Sequence, residues 1–206
     1  MKKSAFTLIE LIIVIVVAGI LAAVMIPRME RDSLREATNQ VVRHIQFTQH
    51  LALVDDVYDA GKSDWDKALW TMRFEQRAVK PCYTVASDKN LDGSYSATDA
   101  NNEAATDPTN NKLLFSTATC TDSKKDERSS DILLHDKYAV DSVTLTGCTT
   151  VTMIVFNNLG QPVINHDSER PRLTDCNVTL ISNGRKAEIM VEKQTGFTRV
   201  TSFDSL

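Results

Sequence analysis

Between positions 88 and 99 the chain sets oxygen-bearing side chains at alternate positions, Asp88, Asn90, Asp92, Ser94 and Ser96, closed by Asp99. Hard oxygens at this spacing can converge on one Ca2+, Gly93 permits the sharp turn, and Asp99 takes the closing position of a twelve-residue loop. Ser94 would offer its backbone carbonyl, and Ser96 would act directly or through water. The competing reading is a solvated turn, because the whole stretch from Ser87 to Asn111 is rich in Asp, Asn, Ser and Thr. A second chemical group is Glu10, a lone carboxylate in the run that continues unbroken and apolar from Leu11 to Ile26. At the centre of a membrane helix a carboxylate costs about 2.5 to 3.5 kcal/mol on insertion scales, so Glu10 calls for a partner or a role.

Four cysteines, Cys82, Cys120, Cys148 and Cys176, follow this apolar run, and none has C-x-x-C spacing. An even number in a chain sent out of the cytoplasm reads as two disulfides rather than a zinc or redox site. Three connectivities are open, and pairing sequence neighbours would join Cys82 to Cys120 and Cys148 to Cys176. The histidines His44, His50, His135 and His166 are scattered without an i, i+4 metal pair. They read as surface or core residues. No G-x-S-x-G, H-E-x-x-H or P-loop pattern occurs, so no enzyme activity is expected. Asp175-Cys176-Asn177-Val178-Thr179 fits an N-glycosylation acceptor with an upstream acid, although a disulfide at Cys176 and a strand at Asn177 weigh against it. With 27 acidic against 23 basic residues and a net charge of -4, nucleic acid is not an expected partner.

These groups must be positioned by a small set of elements. From Phe6 to Ile26 a helix would rise roughly 30 Å, the thickness of a hydrocarbon core, and so reads as a transmembrane segment over residues 6–27. Pro27 predicts a kink. Leu34, Ala37, Val41, Ile45, Thr48 and Ala52 recur at steps of three and four, predicting an amphipathic helix over residues 28–54. Residues 55–206 then form one β-rich domain. Its strand-like segments are Leu69 to Phe74, Tyr83 to Ala86, Lys112 to Phe115, Ala139 to Leu145, Val151 to Phe156, Val178 to Ile181, Ala187 to Val191 and Phe197 to Thr201. The fourth and fifth have hairpin spacing around Gly147. The expected fold class is α+β, with a long N-terminal helix packed on an antiparallel sheet.

The opening Lys2-Lys3-Ser4-Ala5-Phe6-Thr7-Leu8-Ile9-Glu10 resembles the class III signal of type IV pilins and type II secretion pseudopilins. Ala5 stands where the family usually has Gly, and Gly19 and Pro27 fall at its helix-loosening positions. The resemblance extends to about His50. It implies a pilin-like fold and cleavage of a leader, residues 1–5, by a prepilin peptidase that then methylates the Phe6 amine. Glu10 would pair with that amine on a neighbouring subunit during assembly. The implied function is a pseudopilin that polymerises into a short periplasmic filament for type II protein secretion. A major or minor type IV pilus subunit is the alternative, serving adhesion, motility or DNA uptake. A membrane-anchored calcium-binding protein without a filament is the alternative from another class. Implied partners are other pilins or pseudopilins and the inner-membrane assembly platform. The implied location is the bacterial inner membrane, single-pass, with the domain in the periplasm or outside the cell. Structural calcium is also common in that family. The segment from Val155 to Pro162, with the pair closing on Gly196 to Val200, loosely resembles the C-terminal region of a minor-pilin group. A hairpin turn using Gly160 and Pro162 accounts for the same residues.

Overall fold

Aliphatic side chains on every side give the first helix, α1 (Leu8–Met25), no polar face to turn toward solvent and no stripe to turn toward a core. The computed structural model describes residues 8–25, 32–56, 58, 60–61, 64–77, 80–91, 100–117, 119–121, 126–164 and 170–204. Two units separate within it, Met1–Asp32 and Ser33–Leu206. In the first, the side chains from Leu8 to Leu21 are exposed.

Among the described residues no helix is long and apolar enough to cross a membrane. This corrects the expected transmembrane helix and the single-pass inner-membrane topology built on it. An apolar run reports composition, whereas a span needs about 20 continuous helical residues. The described helix α1 has 18, at the short end of the range that spans a bilayer. It does not continue as one described element into the second helix, and the expected kink at Pro27 lies outside the described residues.

The second unit begins with α2 (Ser33–Val54), whose buried residues include Leu34, Ala37, Val41, His44, Ile45 and Ala52. This stripe drives the packing, since each buried Leu, Val or Ile is worth about 1.5 to 3 kcal/mol. Glu36 in the first turn suits the positive end of the helix dipole. After Val54 the acidic pair Asp55-Asp56 favours a turn, and Asp55 is fixed by accepting the Trp70 indole N–H at 2.9 Å.

Two antiparallel sheets, rather than the single one expected, meet α2. The strands are β1 (Trp70–Arg77), β2 (Lys80–Ser87), β3 (Ser142–Thr146), β4 (Met153–Phe156), β5 (Cys176–Ser182), β6 (Arg185–Val191) and β7 (Thr198–Phe203). They order as β2-β1-β4 and β3-β5-β6-β7. β1 faces the core through Trp70, Met72 and Phe74 at alternate positions. β2 is buried from Pro81 to Ser87 because a second layer covers its outer edge. There the Val85 N–H donates to Leu114 O at 2.8 Å and the Ala105 N–H to Val85 O at 2.9 Å. Two short helices, α3 (Ala100–Glu103) and α4 (Leu134–Tyr138), flank that covering segment. An uncovered edge would be open to pairing with other chains, so the excursion has a structural use.

The expected hairpin around Gly147 does not form. β3 pairs with β5 and β4 pairs with β1, placing the two segments in different sheets. Lys112 to Phe115 makes isolated bridges through Leu113 to Thr106 and Arg128 rather than a strand. The β5–β6 hairpin turns on Asn183-Gly184, both at positive φ, the geometry that matches the twist of the flanking strands.

Gly196 locks the β6–β7 turn to α2. Its φ is +69, and an added Cβ would lie 2.3 Å from the Gly160 carbonyl oxygen and 2.4 Å from Gln49 Nε2. The Gln49 amide donates to Gly160 O at 2.9 Å and Thr195 O at 2.6 Å. Gly196→Ala is expected to cost at least about 1 to 2 kcal/mol from the left-handed backbone, with displacement of Gln49 adding to it. A urea titration checks this as a lower midpoint at unchanged slope.

Candidate functional site

Glu10 occupies the first turn of α1 and is exposed. A carboxylate there offsets the positive end of a helix dipole. Ala5 and Phe6, the expected processing junction, lie outside the described residues.

In the expected calcium loop, Asp88 follows β2 directly, and the Asn90 backbone N–H donates to Glu103 Oε1 at 3.4 Å. Asp92, Ser94, Ser96 and Asp99 lie outside the described residues. Among the described residues no group of His, Cys, Asp and Glu could hold a metal ion. Glu103, which accepts the Asn90 N–H, is a buried carboxylate at 3% exposure.

Cys82 is bonded to Cys120 and Cys148 to Cys176. The first bridge ties β2 to the end of the excursion that covers it. The second joins the turn after β3 to the start of β5, beside Gly147, where a Cβ would lie 2.3 Å from Asp175 O. Asn177 is exposed on β5, one residue from the bridged Cys176.

The most concentrated polar chemistry lies elsewhere, around His44. Its Nδ1 is 2.7 Å from the Tyr83 hydroxyl. Its Nε2 is 3.1 Å from Gln40 Nε2 and 3.6 Å from Asp107 Oδ2. The Tyr83 hydroxyl donates onward to Asp131 O at 3.3 Å, and Gln40 Nε2 also reaches Asp131 Oδ2 at 3.4 Å. Arg43 donates to Gln40 Oε1, and Lys137 pairs with Asp131. Asp107 is fully buried, yet its oxygens accept from Thr109 N at 2.8 Å, Thr109 Oγ1 at 2.6 Å, Asn110 Nδ2 at 3.2 Å and Ser129 Oγ at 3.2 Å. Such a network stabilises only when every member is satisfied.

Sequence reasoning placed His44 on the amphipathic helix but missed its partners. Its place on the stripe after Ala37 and Val41 was the available signal. Asp107-Pro108-Thr109-Asn110 was also legible as a turn in which an Asp side chain bonds ahead to the backbone. Of the other histidines, His50 is exposed, His135 Nδ1 is 3.1 Å from Val140 O, and His166 lies outside the described residues.

Burial pushes the His44 imidazole below its ordinary value of 6.5, against the opposing pull of Asp107 and Asp131. Burial pushes the Asp107 carboxyl up, but the hydroxyl and backbone N–H of Thr109, with His44 and Ser129, together hold it below 3.8. Both groups bind protons more readily in the unfolded chain, so both contribute stability that falls as pH falls. His44's share is complete above pH 6.5 and is lost on acidification toward its folded value; Asp107's is complete above 3.8 and is lost below it. Denaturant midpoints measured from pH 8 to 3 are therefore expected to decline in two steps, the first absent in His44→Gln.

Comparison with protein families matches residues 1–26 to the prokaryotic N-terminal methylation motif. The chain carries a prepilin-type methylation signal. This class III signal includes Ala5, Phe6 and Glu10 and ends before Pro27. No curated protein and no solved structure matches the chain. The expected pilin or pseudopilin subunit, whether of secretion or of a pilus, is defined by a long membrane-spanning N-terminal helix, and none is present among the described residues. The alternative of a membrane-anchored calcium protein meets the same finding, since it too needs a spanning helix. Behind the signal stands an α+β unit with two separate sheets.

Proposed function

We propose that this chain is a non-catalytic substrate of a prepilin-type peptidase, cut between Ala5 and Phe6 and methylated on the new amine, delivering a disulfide-braced α+β domain to an oxidising compartment. The observation that carries this reading is the match of residues 1–26 to the N-terminal methylation motif. Hydrolysis of the Ala5–Phe6 amide would leave a free amine just ahead of α1. Glu10 in the first turn of α1, four residues on in sequence, offers a carboxylate of opposite charge. Both disulfides suit a compartment outside the reducing cytoplasm. The folded unit serves as a structural or binding module rather than a turnover catalyst.

Co-expression of the full chain with an active or an inactivated prepilin-type peptidase tests the reading. The expected result is a shorter product only with the active enzyme. A chain whose length is the same in both strains contradicts it.

A further inference from the structure

The hydrogen bonds around His44 assign its tautomer. Arg43 donates to Gln40 Oε1, which fixes the Gln40 amide with its NH2 toward the imidazole. At 3.1 Å that NH2 needs an acceptor, so His44 Nε2 carries a lone pair and Nδ1 carries the hydrogen. Nδ1–H then donates to the Tyr83 hydroxyl at 2.7 Å, and the hydroxyl donates to the Asp131 carbonyl at 3.3 Å. In this neutral arrangement the chain from Arg43 to Asp131 is satisfied. Asp107 Oδ2 stands 3.6 Å from Nε2, beyond hydrogen-bond range.

A proton on Nε2 breaks this order, because two donors would then face each other across the Gln40 contact. One acceptor is already in place. Closing 3.6 Å to about 2.8 Å would give Nε2–H a charge-assisted bond to Asp107, while Gln40 keeps its contact with Asp131 Oδ2. We propose that His44 is a proton-operated switch that exchanges Gln40 for Asp107 as its partner and so changes how α2 is tied to the excursion covering β2.

The charged and titratable groups facing the site set its balance. From α2 comes Arg43, which opposes a second positive charge; from the covering segment Asp107, and from the turn before α4 Asp131, both favour it. On α4, Lys137 pairs with Asp131, and Tyr138 of the same helix acts electrostatically on Tyr83. β2 contributes Tyr83 and β1 the uncharged Phe74 packed against it. Burial favours the neutral form, which places the switch on the acid side of neutrality.

Imidazole nitrogen NMR on the full chain tests the proposal. At neutral pH His44 is expected as the Nδ1–H tautomer. On acidification it should take up a proton while the protein remains folded, with the Gln40 side-chain NH2 and the Thr109 amide shifting at the same midpoint. Asp107→Asn removes the acceptor and should move that midpoint down; Gln40→Leu removes the competing donor and should move it up. An Nε2–H tautomer at neutral pH, protonation only on global unfolding, or a midpoint unmoved by both variants would overturn the switch. Should a variant fail to fold, the tautomer and the folded-state titration of the unaltered chain decide the matter.

Discussion

The Cys82→Ala, Cys120→Ala double variant is expected to lose about 4 kcal/mol of stability. The bridge closes a loop with a sequence separation of 38, for which the chain-entropy model gives about that figure. Its removal also frees the end of the segment whose backbone covers the outer edge of β2 through Val85, Ala105 and Leu114. The lost stability is accordingly expected to appear with faster amide exchange at Val85 and Ala105, ahead of the second sheet. The Cys148–Cys176 bridge, with a separation of 28, is worth about 3.5 kcal/mol by the same argument. Urea titrations of the double variant against the oxidised parent check the figure. A loss below about 1 kcal/mol would show that the excursion holds its place without the cross-link.

Asp107→Leu is expected to cost about 1 to 3 kcal/mol, despite adding apolar volume to a fully buried position. The Thr109 amide and hydroxyl, the Asn110 amide and the Ser129 hydroxyl all lose an acceptor at once. The buried Ser129 hydroxyl then carries its desolvation cost, whereas the donors of the exposed Thr109 and Asn110 can turn to water, so the loss of this local cage outweighs the hydrophobic gain only modestly. Asp107→Asn retains one oxygen and should recover part of the loss. Thermal or urea unfolding of the two variants at pH 7 separates these outcomes. Equal stability of Asp107→Leu and the parent would show that the cage around Asp107 is not a stabilising unit.

Local patterns in the sequence carried the parts of the fold that are local. The stripe Leu34, Ala37, Val41, Ile45, Thr48 and Ala52 is the buried face of α2, and the helix ends at Val54 where Asp55-Asp56 begins. Asn183-Gly184, a dipeptide suited to positive φ, turns the β5–β6 hairpin. Pairings over longer range were not legible. Gly147 looked like a hairpin turn, but β3 and β4 find partners in different sheets, because turn chemistry constrains only the chain beside it. Lys112 to Phe115 has strand composition yet bonds through isolated bridges, since β2 offers an edge to cover rather than a long ladder. The apolar run after Phe6 is legible as the helix α1, but no helix among the described residues is long and apolar enough to cross a membrane.

The candidate site divides the same way. The signal at residues 1–26 is a contiguous motif and could be read directly. The relay joins Gln40, His44, Tyr83 and Asp131 across sequence separations of 39, 48 and 91, where no spacing rule applies. Three cysteine connectivities stay equivalent in sequence until the Cα atoms of Cys82 and Cys120 stand 5.4 Å apart and those of Cys148 and Cys176 4.3 Å apart.

The account rests most heavily on the fate of the N-terminus, and the intact mass of the mature chain, with tandem fragmentation of its first peptide, tests it directly. The expected product lacks residues 1–5, begins at Phe6, and carries one methyl group on the Phe6 amine. A mature chain that retains Met1 through Ala5, or one that begins after Ala22 or Ala23 with an unmodified amine, would contradict processing at this signal.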